Sequence, residues 1–249
     1  LQPETVTLRA QHQTETDLEP APVLQTPADL RRASFEIANA LLLVWLAGVA
    51  ILAGCVCAGN ISLWRIIKRE RCLTDQRILE LVEDCKSQMG VQAVLGVVAT
   101  GNVKSPALFG FVRPRLLLPK KMIDELGLDE LRHVFLHELA HLRRHDIFVG
   151  YLVSVLQTLH WFNPLVWLAF GRLRADRELA CDALALSTME AGESAKYGRT
   201  VVHLLEDFLH PRRLPSLAGI SEDKSQIKRR ITMIARFKKK SYHWSPLAI

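Results

Sequence analysis

His137-Glu138-Leu139-Ala140-His141 is the segment whose residue types and spacing point most directly to chemistry. On a helix, two histidines four apart stand one above the other on a single face. Their imidazoles can reach one zinc ion at about 2.0–2.1 Å. Glu138 is one residue round the helix from the first histidine, beside the position such an ion leaves open. A carboxylate there can act as general base on a water whose pKa the ion lowers to about 7. With 9 histidines in 249 residues, roughly a few per cent of such chains would carry the pattern by chance, so it needs support from elsewhere.

Catalytic zinc takes three protein ligands and a water. Glu178, in Arg177-Glu178-Leu179-Ala180-Cys181-Asp182, is a candidate third ligand on a downstream helix. Asp182, four residues later on the same face, could accept a hydrogen bond from a ligand histidine's other nitrogen. A solvated Glu/Asp pair would look the same in sequence. His133, His137, His141 and His145 all stand four apart, but each step of four drifts by about 40° round a helix. The outer two therefore read as neighbours that tune the field, or as plain surface residues. His160 and His203 could donate to an oxyanion, but read better as structural histidines.

The elements that would position these groups can be traced along the chain. Residues 1–35 are polar, rich in Thr, Gln, Glu and Pro, and read as a linker. From Ile37 to Trp64 there is no Asp, Glu, Lys or Arg, and a bilayer core needs about 20 such residues as helix. A transmembrane helix over 36–67 is expected. Arg65, Lys68, Arg69 and Arg71 follow it and put that end in the cytoplasm, leaving 1–35 outside. Thr74 is expected to cap an amphipathic helix reaching about Gln88. Val91–Val98 and the stretch after Ser105-Pro106 read as extended, and Leu116-Leu117-Leu118 as a strand whose flanking Pro114 and Pro119 suggest a sheet edge. Asp129 and Glu130 open the helix that carries His137 and His141. Ile147–Gly171 is a second stretch free of Asp, Glu, Lys and Arg. Helical patterns follow over 172–189, 193–209 and 221–237.

Hydrophobic residues make up 49% of the chain and charged ones 23%, which fits a soluble-type domain joined to one or two apolar segments. The net charge is +6, but no helix-turn-helix, zinc-finger or RNA-binding signature accompanies it, so nucleic acid is not an expected partner. The 5 cysteines are odd in number and form no CxxC, so nothing here resembles a disulfide framework or a cysteine zinc site. The chain opens on Leu1 with no signal peptide, and a piece of a longer protein is expected.

Together these segments resemble the BlaR/MecR-type integral membrane zinc metallopeptidases, an antirepressor/sensor family. The resemblance rests on Ser105-Pro106-Ala107-Leu108-Phe109-Gly110, Arg113-Pro114-Arg115-Leu116-Leu117-Leu118-Pro119 and the His137–His141 motif. It rests also on Trp161-Phe162-Asn163-Pro164-Leu165-Val166-Trp167 and Arg177–Asp182. It implies an α+β, mostly helical, gluzincin-like zinc metallopeptidase domain with a small edge sheet, preceded by one transmembrane helix. It implies one catalytic Zn2+ on His137, His141 and Glu178, with Glu138 as the catalytic carboxylate. The peptidase domain, 68–240, would lie between two transmembrane helices, and 241–249 would begin the second.

A shared zinc constrains Ile147–Gly171. A single crossing would put Glu178 and His137 on opposite sides of the membrane. Asn163-Pro164 breaks the segment, and each piece is then too short to span. A helical hairpin is expected, in the domain core or against the membrane surface. Ser105–Pro119 could bind substrate as an added strand, or be an ordinary structural strand. The expected activity is zinc-dependent endopeptidase cleavage of a cytoplasmic protein in signal transduction, with a transcriptional repressor or the chain itself as candidate substrate. Arg229-Arg230, an exposed-looking basic pair, is a candidate self-cleavage site. The alternatives are a non-catalytic zinc-bound membrane signal transducer or scaffold, which would be free to lose Glu138, and a zinc hydrolase of a non-peptide substrate. Expected partners are that substrate and the lipid bilayer of a bacterial plasma membrane, the peptidase domain facing the cytoplasm. A homo-oligomer is left open.

Overall fold

The computed structural model describes residues 27–70, 72–110, 113–190, 192–207 and 219–238. Residues 1–26 and 241–249, the latter the expected start of a second membrane helix, lie outside the described residues. The described chain is mostly helical with one small sheet, and it opens with an apolar helix. Two units divide it, one ending at Ala47 and one starting at Gly48.

The first helix, α1, runs Pro27–Arg69 and so begins ahead of the boundary expected at 36. Among the described residues it is the one helix long and apolar enough to cross a membrane. In the first unit its side chains Phe35, Ile37, Leu41 and Leu43 are exposed. The helix enters the second unit through Gly48 and ends on Lys68 and Arg69.

The rest of the second unit is built round α4, Leu128–Arg143. Leu131, Val134, Phe135, Leu136, Leu139 and Ala140 of this helix are buried. Each large apolar side chain so buried contributes about 1.5–3 kcal/mol. Around it pack α2 (Gln76–Met89), α6 (Pro164–Thr188) and α7 (Ser194–Asp207), with α8 (Gly219–Arg236) against α6 and α7. The cap of α2 is Asp75 rather than Thr74: its Oδ1 accepts from the Arg77 backbone N–H at 3.0 Å. Gly90 ends that helix at φ 69°, a left-handed conformation that glycine adopts without penalty.

The sheet has the order β1-β3-β2, from β1 (Gly96–Thr100), β2 (Ala107–Phe109) and β3 (Arg115–Pro119). β3 is parallel to β1 and antiparallel to β2. The edge position expected for Leu116-Leu117-Leu118 is therefore wrong: this strand is central, and all three leucines are fully buried. The prolines misled because they stand at the two ends of the strand, Pro114 just before it and Pro119 as its last paired residue, opposite Thr100. Pro119 leads straight into α3 (Lys120–Glu125). The two edge strands are β1, which Cys72 and Leu73 approach at Val98 and Val97, and β2.

Ile147–Gly171 folds as two helices, α5 (Asp146–Leu159) and the first turns of α6. Asn163 caps α6, its Oδ1 accepting from the Leu165 N–H at 3.0 Å, and Pro164 occupies the first helical turn.

Candidate metal centre

His137 and His141 leave α4 one turn apart with their rings edge to face, centroids 5.0 Å apart. Their Nε2 atoms turn toward Glu178 on α6, at 3.4 Å from Oε2 and 3.6 Å from Oε1 respectively. Ligand-capable atoms of the three residues all lie within 4.8 Å of one another. Ligand atoms on a zinc tetrahedron with bonds near 2.05 Å stand about 3.3 Å apart. The N/O donor set and its spacing thus fit one zinc ion.

Both Nδ1 atoms point the other way, each onto a buried carboxylate. Asp182 Oδ1 is 3.0 Å from His137 Nδ1, and Asp146 Oδ2 is 2.8 Å from His141 Nδ1. Such contacts set tautomer and ring direction, leaving Nε2 free for an ion. Asp182 has no exposed side-chain surface. Tyr197 donates to its Oδ1 at 2.7 Å, and Arg230 donates to both of its oxygens at 2.8 and 2.9 Å. Asp146 is held by Arg177, whose Nη2 donates to its carbonyl at 2.9 Å.

Burial and charge act against each other here. Burial alone would raise Asp182, but the hydrogen bonds from His137 and Arg230 hold it far below the usual carboxylate range. Burial likewise opposes the drop at Glu178, which His137, His141 and Arg230 nonetheless bring down to about 2. For His137, burial would favour the neutral ring, yet Asp182 and Glu178 push it up to about 10. Glu138, on the same cavity, is raised by burial, with the two histidines pulling the other way. His141, Asp146 and Cys181 form a second cluster with metal-ligating atom types. Its contacts are hydrogen bonds: the Cys181 thiol, pushed far up by burial and by Asp146, donates to Asp146 Oδ2 at 3.3 Å. A protonated thiol is a poor ligand.

A cavity of about 660 Å³ opens over the cluster. His137, Glu138, His141, Glu178, Tyr197 and Arg230 face it from one side, and Ala107, Leu108 and Phe109 of β2 from another. Asn60 of α1 and Tyr151, Ser154 and Gln157 of α5 extend its wall. Gln157 is buried, and its Nε2 has no hydrogen-bond partner.

The other histidines stand apart. His133 is buried rather than on the surface, its Nδ1 2.8 Å from Thr200 Oγ1, and burial lowers its pKa. His145 is exposed at φ 57° between α4 and α5. His203 pairs with Glu130 at 3.0 Å, and His160 faces the Leu156 carbonyl at 3.1 Å. None of these last three lines the cavity. Arg229-Arg230 is not the exposed pair expected. Arg229 is open and pairs with Asp176 at 2.9 Å, but the Arg230 side chain is only 17% exposed and lies against Asp182 and Glu178. Asp146, Tyr197 and Arg230 carried no local signal; their partners lie from 5 to 60 residues away in sequence.

The family model described as BlaR1 peptidase M56 matches residues 4–234. Regulatory protein BlaR1 of Bacillus licheniformis is 30% identical over 205 residues, covering 82% of this chain and 34% of that protein. The methicillin resistance mecR1 protein of Staphylococcus aureus is 25% identical over 212 residues, 82% of this chain and 35% of that protein. The chain thus spans about a third of the length of the curated relatives it matches. Among solved structures, S. mikatae Ste24p aligns with a TM-score of 0.49 and 14% identity, over 82% of this chain and 64% of that one.

Proposed function

The chain belongs to the BlaR1 peptidase M56 family, and from that premise we propose that it is a membrane-anchored, zinc-dependent endopeptidase of gluzincin type. One observation carries the reading: His137 Nε2, His141 Nε2 and the Glu178 carboxylate converge at the spacing of a zinc tetrahedron. His137, His141 and Glu178 are the ligands. Bound there, zinc would supply a Lewis acid for the scissile carbonyl and acidify a water.

The chain's own groups do the rest. Glu138 takes the water's proton and returns it to the leaving amine; its raised pKa suits both steps. Asp182 and Asp146 keep the two imidazoles aimed. Arg230 balances the buried charge of Asp182 and steadies Glu178. The edge of β2, which lies within Ser105–Pro119 and on the cavity wall, suits an extended peptide that pairs as an added strand. We assign the metal centre to the cytoplasmic side, where Lys68 and Arg69 end α1. The substrate is then a cytoplasmic protein, a transcriptional repressor or the chain itself, cut in signal transduction; the word regulatory in the name of a relative supports this. A zinc-bound transducer without catalysis is the alternative, and the presence of Glu138 on the cavity argues against it.

Zinc content and cleavage of a casein-type substrate test the assignment together. Wild type should hold about one zinc per chain. His141→Ala and Glu178→Ala should lose it, and Glu138→Gln should keep it while losing cleavage. Full zinc affinity in Glu178→Ala would remove the third ligand. Equal zinc binding by all variants with no cleavage by any, wild type included, would favour the transducer.

A further inference from the structure

Helix α5 is arranged inside out for a helix in water. Its inward face carries Ser154 and Gln157, which line the cavity. Its outward face carries Phe148, Leu152, Val155 and Leu159, all exposed. The apolar surface continues through Phe162 and onto α6, where Leu165 is 71% exposed. A surface helix in water turns its polar side outward. Polar groups facing a cavity and apolar groups facing out are the pattern of a helix in lipid.

Two contacts give this hairpin a depth. Tyr151 Oη donates to Asn60 Oδ1 of α1 at 3.3 Å. At the tip, the Trp161 indole fills the space where Gly48 of α1 would carry a Cβ. The two contacts keep step: α5 rises about 12 Å from Tyr151 to its end at Leu159, with Trp161 two residues beyond, and about 18 Å separates 60 and 48 along α1. α5 therefore runs antiparallel to α1, its foot level with Trp64 and its tip level with Gly48. Gly48 lies near the middle of the charge-free stretch Ile37–Trp64. If α1 crosses a hydrocarbon core of about 30 Å, Trp161 sits near its centre.

Charge and backbone agree with that depth. Arg65, Lys68 and Arg69 stand at the foot of α1, and Arg172 and Arg174 where α6 leaves its apolar stretch. All suit anionic headgroups on one side of a membrane. Backbone groups in lipid must be paired. At the tip, the His160 N–H reaches Leu156 O, the Asn163 N–H reaches His160 O, and the Trp167 indole donates to Trp161 O at 3.0 Å.

We propose that α5 and the start of α6 form a re-entrant hairpin, its tip in the lipid hydrocarbon beside α1, leaving the membrane on the side it entered. His137 and Glu178 then stay on one side, and the cavity, whose wall includes Asn60, Ser154 and Gln157, lies at the bilayer boundary. Substrate would then reach the cavity as a polypeptide segment at the membrane surface. The inference rests on α1 as a membrane span, which is part of the reading above.

Bromine in the acyl chains of a lipid quenches tryptophan at matching depth. The full chain, carrying one Trp at a time with the others changed to Phe, would be reconstituted in phosphatidylcholine/phosphatidylglycerol vesicles. The phosphatidylcholine would be brominated at carbons 6,7 or 11,12. Trp161 alone should lose most of its fluorescence, more to the deeper bromines; Trp45 alone reports α1 in the same way. Trp45 quenched with Trp161 untouched, or quenched only by the shallow bromines, overturns the hairpin and leaves the span. Trp45 untouched overturns both. Because Trp167→Phe removes a bond at the tip, a second measurement retains every Trp. Leu165→Cys, with Cys55, Cys57 and Cys72 changed to Ala, would carry a nitroxide. Oxygen should relax it more than a water-soluble nickel chelate does. Val94→Cys, at a position 89% exposed outside the hairpin, should show the reverse. The same ranking at both positions overturns the proposal.

Discussion

His137 and His141 each turn one nitrogen to Glu178 and the other to a buried carboxylate. Asp182→Asn and Asp146→Asn keep the shape but weaken that hold, and zinc affinity should fall about 10–100-fold in each, measured by competition with a chelator dye. The pairing also makes metal binding depend on pH. Without metal, His137 stays protonated up to about 10, so zinc must displace its proton below that pH. Affinity should rise about tenfold per pH unit between 7 and 9, with about one proton released per zinc, read by calorimetry in buffers of different ionisation enthalpy. The metal-free fold shows the opposite sign. The raised His137 stabilises it fully below the unfolded value of 6.5, and that contribution is lost as pH rises through about 10. The depressed Glu178 contributes above 4.5 and is lost as pH falls through about 2.

Helices carry these side chains, and their own stability can be tested separately. Leu139 sits inside the His137–His141 motif, points to the opposite side of α4 and is fully buried. Leu139→Ala should cost about 2–5 kcal/mol in urea denaturation, because the well-packed site leaves a cavity. Asn163→Ala removes the cap of α6 and should cost about 0.5–2 kcal/mol, with loss of zinc only where α6 frays as far as Glu178. At this scale the sequence was informative where local chemistry decides: the apolar period of α4, the Asn-Pro break and the charge-free α1 are all legible. It misled where pairing decides. Proline beside a strand reads as an edge, but whether it costs a ladder bond depends on which residues pair, and β3 begins after Pro114 and ends on Pro119.

For the whole chain, the core round α4 does not include the three candidate ligands, which are only half-buried. Chelation should therefore leave helical circular dichroism intact while lowering the melting temperature. Zinc at a hundred times its Kd adds about 2.7 kcal/mol, or about 5–10 °C for a chain of this size. Loss of helix on chelation would mean that metal and core fold together. The sequence by itself determined the candidate ligand types, the helix that spaces His137 and His141, the apolar α1 and the hairpin break, because each depends on neighbours within a turn or two. Only the tertiary structure decided that Asp146 and Tyr197 meet the imidazoles, that Arg230 is drawn inward to Asp182, and that β2 lines the cavity. Those contacts join residues on different helices, and a buried charge selects its partner by position in space, which no local pattern records.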